Sequence, residues 1–161
     1  MVTAMDRARG FTLAEILIVV FIIGLLAAFG YPAMTKFLAT QAVRSASYDL
    51  FADLIYARSE AISRGTTVTV QGTSGVDWKL GWNVRENAGG TTLRAEPARD
   101  SQIQFTASQA AVTFDRNGRA TNQMFFNIIP AANITNAQDY MKRCIRLDPS
   151  GRPKSAEGAC A

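Results

Sequence analysis

The clearest chemistry in this sequence lies near its N-terminus, where one carboxylate, Glu15, stands at the start of an apolar stretch. The Gly10–Phe11 bond just before it has the character of a processing junction, and a short basic leader, residues 1–10, precedes that bond. Cleavage there would turn the Phe11 amide into a free amine that is mostly protonated near neutral pH. The product would carry a cation and a carboxylate one helical turn apart at the edge of an apolar helix.

This pair of opposite charges permits two uses. Within one chain, the Phe11 amine and Glu15 would pair locally. Between chains, the amine of one subunit would neutralise the Glu15 of the next and draw the subunits together in register. A carboxylate in a membrane segment costs on the order of 2 to 3 kcal/mol at mid-helix and less near an end, so it usually has a partner and a function. The residues alone do not choose between the two uses.

A second candidate site is the basic C-terminal tail. The cations expected on a strand and on the turn that follows it are Arg143, Arg146, Arg152 and Lys154. A Cys144–Cys160 bridge would close a loop of about 16 residues around them, worth roughly 3 kcal/mol in the chain-entropy model. Held together in this way, the cations would bind phosphates with a steep salt dependence and little regard for base sequence. The alternative is an ordinary solvated basic hairpin.

The residue types that are missing exclude most enzymes. The chain of 161 residues has no histidine, so it has no histidine-based triad, metal ligand or general base. Two cysteines without histidine are too few for a structural zinc site, which needs four ligands. The sequence also has no glycine-rich phosphate motif and no paired-carboxylate spacing suited to catalysis. We therefore expect no catalysis, no metal and no cofactor.

The element that must position Glu15 is an apolar helix. Residues 16–35 carry no charge and would form about 30 Å of helix, which is enough to cross a bilayer core. Arg7 and Arg9, ahead of this segment, should stay in the cytoplasm and send the remainder of the chain across the membrane. A plain signal anchor or a long cleavable signal explains the same segment without any role in assembly.

The helical pattern continues beyond Pro32. Apolar residues recur at steps of three and four, at Leu38, Ala42, Val43, Ala46, Leu50, Leu54, Ala57 and Ala61. Arg64 and Gly65 then supply a cationic last turn and a C-cap. We expect one helix of about 50 residues, apolar all round in its first half and amphipathic over residues 36–65, where one face lies against a sheet.

After the helix, the sequence changes to short alternating runs typical of strands. Turn residues such as Asn117-Gly118 separate the runs, which cover residues 67–71, 79–85, 102–106, 111–115, 124–129 and 143–148. We expect Trp78 and Trp82 to anchor a small core, with an exposed binding pair as the alternative. Residues 66–161 thus form one small domain, and the chain is of the α+β class.

The segment GFTLAEILIVVFIIGLLAAFGYP resembles the N-terminus of type IV pilins and type II secretion pseudopilins. The resemblance implies that a prepilin peptidase cuts after Gly10 and methylates the new N-terminal Phe11, and that the helices pack into a filament core. It makes Glu15 the assembly carboxylate. Gly24 and Pro32 match positions where the helix loosens or bends, in agreement with the weak helix propensity of these residues. Ala14 departs mildly from the usual larger apolar residue.

Two further stretches, residues 57–65 and 78–84, resemble the GspH/FimT group of minor pilins and pseudopilins. This implies a long N-terminal helix, transmembrane in one half and amphipathic in the other, packed on a small antiparallel β-sandwich. Members of the group work near the filament tip. Before assembly, the chain would be a single-pass protein of the inner membrane with its C-terminal domain in the periplasm. Afterwards it would lie in a filament at the cell surface, with other minor and major pilins as partners.

Three functions remain open from the sequence. The first is a structural minor pilin that primes or caps a type IV pilus. The second adds non-specific binding of double-stranded DNA for natural transformation, because Gly151-Arg152-Pro153-Lys154 resembles the Gly-Arg-x-Arg tail motif of some FimT-like pilins. Lys154 keeps the charge of that motif and loses the bidentate fork of arginine. The third is a type II secretion pseudopilin with a purely structural role. The disulfide-closed basic tail favours the pilus system.

Overall fold

A computed structural model of the chain describes residues 11–87, 89–99 and 101–160. The leader, residues 1–10 with Gly10, lies outside the described residues. The chain forms two compact units that divide between Thr35 and Lys36, and each unit is described by itself below.

Helix α1, Leu13–Arg64, runs through 52 residues and begins at a capping box. The Glu15 backbone N–H donates to the Thr12 hydroxyl at 3.2 Å, and the Thr12 backbone N–H donates to Glu15 Oε2 at 2.8 Å. Two N–H groups that the first turn would leave without partners are satisfied in this reciprocal way. In length and composition, α1 is suited to crossing a membrane.

The first unit contains the N-terminal part of α1, and its side chains from Phe11 to Met34 are all exposed. Pro32 lies inside the helix, and the Thr35 hydroxyl donates to the Pro32 carbonyl at 3.1 Å. So much exposed apolar surface is unfavourable in water, so this segment needs an apolar environment such as lipid or other helices.

In the second unit, α1 packs one face onto a β-sheet. The face is built from buried residues three or four positions apart: Val43, Ala46, Leu50, Leu54, Ala57 and Ala61. The helix ends at Arg64, and Gly65 follows with a φ of 63°, the left-handed conformation of a helix C-cap. The predicted amphipathic helix and its end are confirmed.

Within the described part of the chain, eight antiparallel strands form one connected sheet, and the α+β prediction is confirmed. The strands are β1 Val68–Ser74, β2 Asp77–Glu86, β3 Thr92–Glu96, β4 Ile103–Ala107, β5 Ala111–Phe114, β6 Met124–Pro130, β7 Arg143–Leu147 and β8 Pro153–Glu157. Two halves, β5-β1-β2-β3 and β4-β6-β7-β8, meet where Asp77 of β2 pairs with Thr106 of β4. A short 3₁₀ helix, Asp139–Met141, precedes β7.

Strands β3 and β8 were not among the sequence predictions. Both have mostly exposed or half-exposed side chains, so neither shows the apolar alternation that reveals a half-buried strand. Lys154, which we expected on a turn, lies on β8. There it pairs across the sheet with Arg146.

The core of the second unit contains a group of aromatic rings contributed by both halves of the sheet. Trp78 and Trp82 come from β2, Phe105 from β4 and Phe126 from β6, and all four are fully buried. Trp78 meets Phe126 edge to face, with 4.8 Å between ring centroids. Trp82 and Phe105 have the same arrangement at 5.5 Å. The tryptophans therefore anchor the core as predicted, and the alternative of an exposed binding pair is wrong.

Candidate functional site

The N-terminal candidate site lies on the first turn of α1. Phe11 is 85% exposed just before the helix, and Glu15 is held at the helix start by Thr12. The Thr12 hydroxyl also donates to the Glu15 carboxylate, at 3.1 Å. Glu15 therefore has a local partner in this chain, and that partner is Thr12. Apart from its chain neighbours and the adjacent helix backbone, nothing lies within 4 Å of the place where a Cβ on Gly24 would stand, and Pro32 is exposed.

The predicted disulfide joins Cys144 of β7 to Cys160, with 5.0 Å between their Cα atoms. The Cys160 backbone N–H donates to the Asn127 side-chain oxygen of β6 at 3.3 Å. The segment after β8 thus folds back over β7 and reaches β6. We call this segment, residues 158–160 with its disulfide, the strap. It covers one part of the outer face of the sheet and leaves Cys144 buried.

The structure brings two of the four predicted basic side chains together. Arg146 of β7 stands directly opposite Lys154 of β8, and Phe125 of β6 stands opposite Arg146 on its other side. All three side chains are exposed. They line a groove of about 550 Å³ together with Ser108, Gln109, Gln123, Met124, Leu147 and Asp148. A row of one aromatic ring followed by two cations is a surface suited to a polyanion.

Arg143 and Arg152 are placed differently. Arg143 points to the other face of β7, where its guanidinium bonds to Glu157 at 3.1 Å and to the backbone carbonyls of Tyr140 and Lys142. It is therefore separated from Arg146, because residues three apart on a strand face opposite ways. Arg152 is exposed and lies just before β8.

The turn between β7 and β8 is organised by Asp148. Its carboxylate receives the Ser150 backbone N–H at 2.9 Å and, through a short contact, the Ser150 hydroxyl. The Ser150 hydroxyl, followed by backbone N–H groups and Lys154, lowers the pKa of Asp148 below its ordinary value. Asp148 is ionised near neutral pH, so it offsets part of the positive field of the tail.

A second basic loop, which the sequence did not suggest as a site, joins β5 to β6. The Asp115 carboxylate receives the backbone N–H groups of Asn117 at 2.9 Å and Arg119 at 2.8 Å. Arg116 and Arg119 are exposed. The Asn117-Gly118 pair indicated a turn here, but nothing in the local sequence says which loop lies beside it.

A separate polar cluster ties β3 and the segment after it to α1. Buried Asp53 of the helix accepts from Trp82 Nε1 at 2.8 Å and from Arg94 Nη1 at 2.6 Å. Arg99 bonds to Asp49 at 2.8 Å, and its guanidinium lies 4.6 Å from the centre of the Trp82 ring. These bonds join α1 to β2, to β3 and to the segment after β3, so we assign the cluster a structural role.

Within the described ranges, the structure contains no group of three or more carboxylate or cysteine side chains that could hold a metal ion.

The comparisons with known proteins agree with this architecture. The sequence profile of the family described as type II transport protein GspH matches residues 46–151. A prokaryotic N-terminal methylation motif matches residues 5–31. The search of curated proteins gives no significant match.

Two kinds of solved structure are similar in fold. The type IV minor pilin FimU of Pseudomonas aeruginosa strain PAO1 aligns over 70% of this chain and 91% of its own, with 25% identity and a TM-score of 0.58. The minor pseudopilin EpsH from the type 2 secretion system of Vibrio cholerae aligns over 71% of this chain and 96% of its own. Its identity is 9% and its TM-score 0.56, so this likeness concerns the fold alone.

Proposed function

The chain belongs to the family of type II transport protein GspH, and on that premise we propose that it is a minor type IV pilin. It is anchored in the inner membrane by the first half of α1 before assembly, and it then joins the priming or tip complex of a pilus. The proposal rests chiefly on the exposed apolar surface of the first unit. The methylation motif lies at the start of this unit, and the side chains from Phe11 to Met34 are all exposed and almost all apolar, as a subunit that buries them against lipid and then against other pilins requires.

The capping box gives Glu15 a defined place in assembly. It fixes the carboxylate on the first turn of α1, next to the residue that becomes the N-terminus after cleavage at Gly10. A methylated Phe11 amine of a neighbouring subunit would then meet a carboxylate whose position is already set. The charge of Glu15 would be neutralised only when a neighbour is in register, and this contact would select correctly placed subunits.

The processing step is tested by mass spectrometry of the full chain expressed with a prepilin peptidase. We expect the wild-type protein to lose residues 1–10 and to gain one methyl group on Phe11. Gly10→Val should remain uncleaved.

The assembly role of Glu15 is tested in the same expression system. Glu15→Val should be cleaved normally and be missing from sheared filaments. Glu60→Gln is the control: it loses a surface carboxylate and should assemble as the wild type does. Glu15→Val present in filaments at the wild-type level would overturn the assembly role.

We also propose that the basic face of the domain binds double-stranded DNA without sequence specificity, as a receptor in natural transformation. The support is the juxtaposition of Arg146 and Lys154 beside exposed Phe125, with Arg152 just before β8. Arginine and lysine neutralise phosphates and release counterions, so affinity should fall as salt rises. Arg143 is bonded to Glu157 on the other face, and we expect it to contribute least.

DNA binding is tested by titrating a short fluorescent duplex with the processed full chain in a non-ionic detergent at several salt concentrations. Arg152→Ala/Lys154→Ala should weaken binding by about 10-fold or more, since each phosphate contact contributes to both affinity and salt slope. Arg44→Ala/Lys79→Ala removes the same charge elsewhere and should change affinity little. Equal binding by all variants, or no binding by any, would contradict the DNA-binding proposal and would support a purely structural role for the subunit.

The alternative is a pseudopilin of a type II secretion system, which the family description and the fold of EpsH favour. Such a subunit would share the processing and the assembly contacts and would have no need of DNA affinity. Genes for secretion outer-membrane and ATPase components next to the gene for this chain would support it. Genes for other minor pilins would support the pilus.

A further inference from the structure

Two loops of this domain are built alike. The loop after β5 reads Asp-Arg-Asn-Gly-Arg over residues 115–119, and the loop after β7 reads Asp-Pro-Ser-Gly-Arg over residues 148–152. Each begins with an aspartate, has glycine at its fourth position and ends with an arginine. We call them the paired loops.

The paired loops have the same hydrogen bonds. In each, the aspartate carboxylate accepts the backbone N–H of the third residue at 2.9 Å. The glycine N–H donates to the aspartate carbonyl at 2.8 Å in the first loop and 2.9 Å in the second. The two glycines, Gly118 and Gly151, have φ angles of 73° and 74°, which favour glycine strongly. The backbone just before the final arginine therefore has the same conformation in both loops.

The paired loops also touch each other. A Cβ atom placed on Gly151 would lie 2.1 Å from the carbonyl oxygen of Gly118, which is too close for any side chain. The same Cβ would lie 3.5 Å from the Ala120 backbone nitrogen, so Gly151 faces the backbone on both sides of Arg119, and Arg152 is the next residue after Gly151. Both side chains are exposed, as is Arg116.

The first loop is held from below by the helix. Arg58 of α1 donates from Nε to the Gly118 carbonyl at 3.0 Å. The space under Gly118 is filled as well, since a Cβ there would lie 2.6 Å from Ile62 Cδ1. The backbone of the first loop is thus held in place by packing, and little backbone freedom remains to be lost when a ligand binds.

We propose that the paired loops form a single phosphate-binding site in which Arg119 and Arg152 bind one phosphate of a DNA backbone and Arg116 binds a neighbouring phosphate. This inference rests on the proposed DNA-binding function and enlarges it from the tail to a second loop 33 positions earlier in the chain. Arginine suits the task because its planar fork bonds to two phosphate oxygens at once. Asp115 and Asp148 face into their own loops, where they bond to backbone N–H groups.

The charge of the first loop is tested with Arg116→Ala/Arg119→Ala in the processed full chain, titrated with the fluorescent duplex over a range of salt. We expect affinity to fall about 10-fold or more and the slope of log K against log salt to decrease by about 1, because the phosphate bound by Arg116 is no longer neutralised while Arg152 still faces the shared one. Arg44→Ala/Lys79→Ala is the matched control and should retain the wild-type slope.

The geometry of the site is tested with Gly151→Ala, which preserves every charge. The added Cβ meets the Gly118 carbonyl, so the loops must separate and binding should weaken. Because this variant can also impair folding, Arg119→Lys serves as a second probe. It keeps the charge and loses the fork, and we expect affinity between those of the wild type and Arg119→Ala.

The outcomes separate the two proposals. If Arg152→Ala/Lys154→Ala weakens binding while Arg116→Ala/Arg119→Ala matches the wild type, the paired-loop site is overturned and tail binding stands. If the wild type does not bind DNA at all, the DNA-binding function fails and the site fails with it. Competition by polyglutamate as effective as that by inorganic polyphosphate would contradict the assignment to phosphate and would indicate an acidic protein partner.

Discussion

The buried carboxylate of Asp53 shows how single residues hold this domain together. Asp53 is 1% exposed and accepts hydrogen bonds from Trp82 and Arg94, so it joins α1 to two strands. Asp53→Ala would leave the indole N–H buried without a partner, and we expect it to lower the free energy of unfolding by about 2 to 3 kcal/mol. Urea unfolding followed by tryptophan fluorescence measures the loss.

The control for Asp53 is Glu60→Ala, which removes the surface partner of Arg64. Exposed ion pairs of this kind contribute about 0 to 1 kcal/mol. Equal losses in the two variants would contradict the structural role assigned to the Asp53 cluster.

Asp148 leads to a prediction about pH. Its pKa is lower in the folded protein than the ordinary value, chiefly because the Ser150 hydroxyl bonds to the carboxylate. The stabilisation it provides is therefore present above the unfolded pKa, about 3.9, and is lost as the pH falls through the lower folded pKa. The difference in melting temperature between the wild type and Asp148→Asn should shrink on acidification from neutral pH to about pH 2. A difference that stays constant would show that the carboxylate charge is not the stabilising feature.

Residues near the N-terminus show what could be predicted at this scale. The lone charge of Glu15 was evident from its apolar surroundings, and its distance from Phe11 suggested a pairing. The Thr12 capping box was also encoded, because threonine followed three residues later by glutamate is a signature of a helix start. The partners of Asp53 could not be found in this way, since Trp82 and Arg94 lie 29 and 41 positions away.

At the level of elements, the strap is the feature most open to test. Cys144 and Cys160 are 16 positions apart, and a loop of that length is worth about 3 kcal/mol in the chain-entropy model. Cys144→Ser/Cys160→Ser should therefore lower the free energy of unfolding by up to about 3 kcal/mol. Hydrogen exchange should rise first in β8, which the strap connects back to β6. A uniform rise over all strands would contradict a local role for the strap.

Elements were predictable where their periodicity was strong. Helix α1 follows a three- and four-residue apolar pattern up to a basic residue and a glycine, and it ends at Arg64 as expected. Strands β3 and β8 are edge strands, whose side chains mostly face solvent and therefore show no apolar alternation. The contact between the paired loops is a property of the sheet order and cannot be read from either loop.

For the molecule as a whole, the exposed apolar surface of the first unit determines where the protein is found. We expect the processed full chain to sediment with membranes and to be released by detergent and not by salt, because the contact with lipid is apolar. A chain that begins at Lys36 should remain in the soluble fraction. Processed full-length protein in the cytosol would contradict the membrane-anchored function.

The overall architecture was the part of this protein that the sequence described best. Its long helix, small antiparallel domain and C-terminal disulfide each leave a local trace in composition or spacing. The basic surface was described only in part. The tail was evident as a run of charge, but the face of β7 to which each arginine points depends on the register with β6 and β8.

The composition of the last strand, β8, bears on whether crowded copies of the domain aggregate. β8 ends the described sheet, and the open edge of a sheet is the usual starting point for aggregation into fibrils. This strand begins with Pro153, which has no N–H to donate, and continues with Lys154, which is 76% exposed. Both residues oppose edge-to-edge pairing with another copy. If the chain is the membrane-anchored pilin proposed above, crowded domains would therefore be hindered from joining their sheets through this edge.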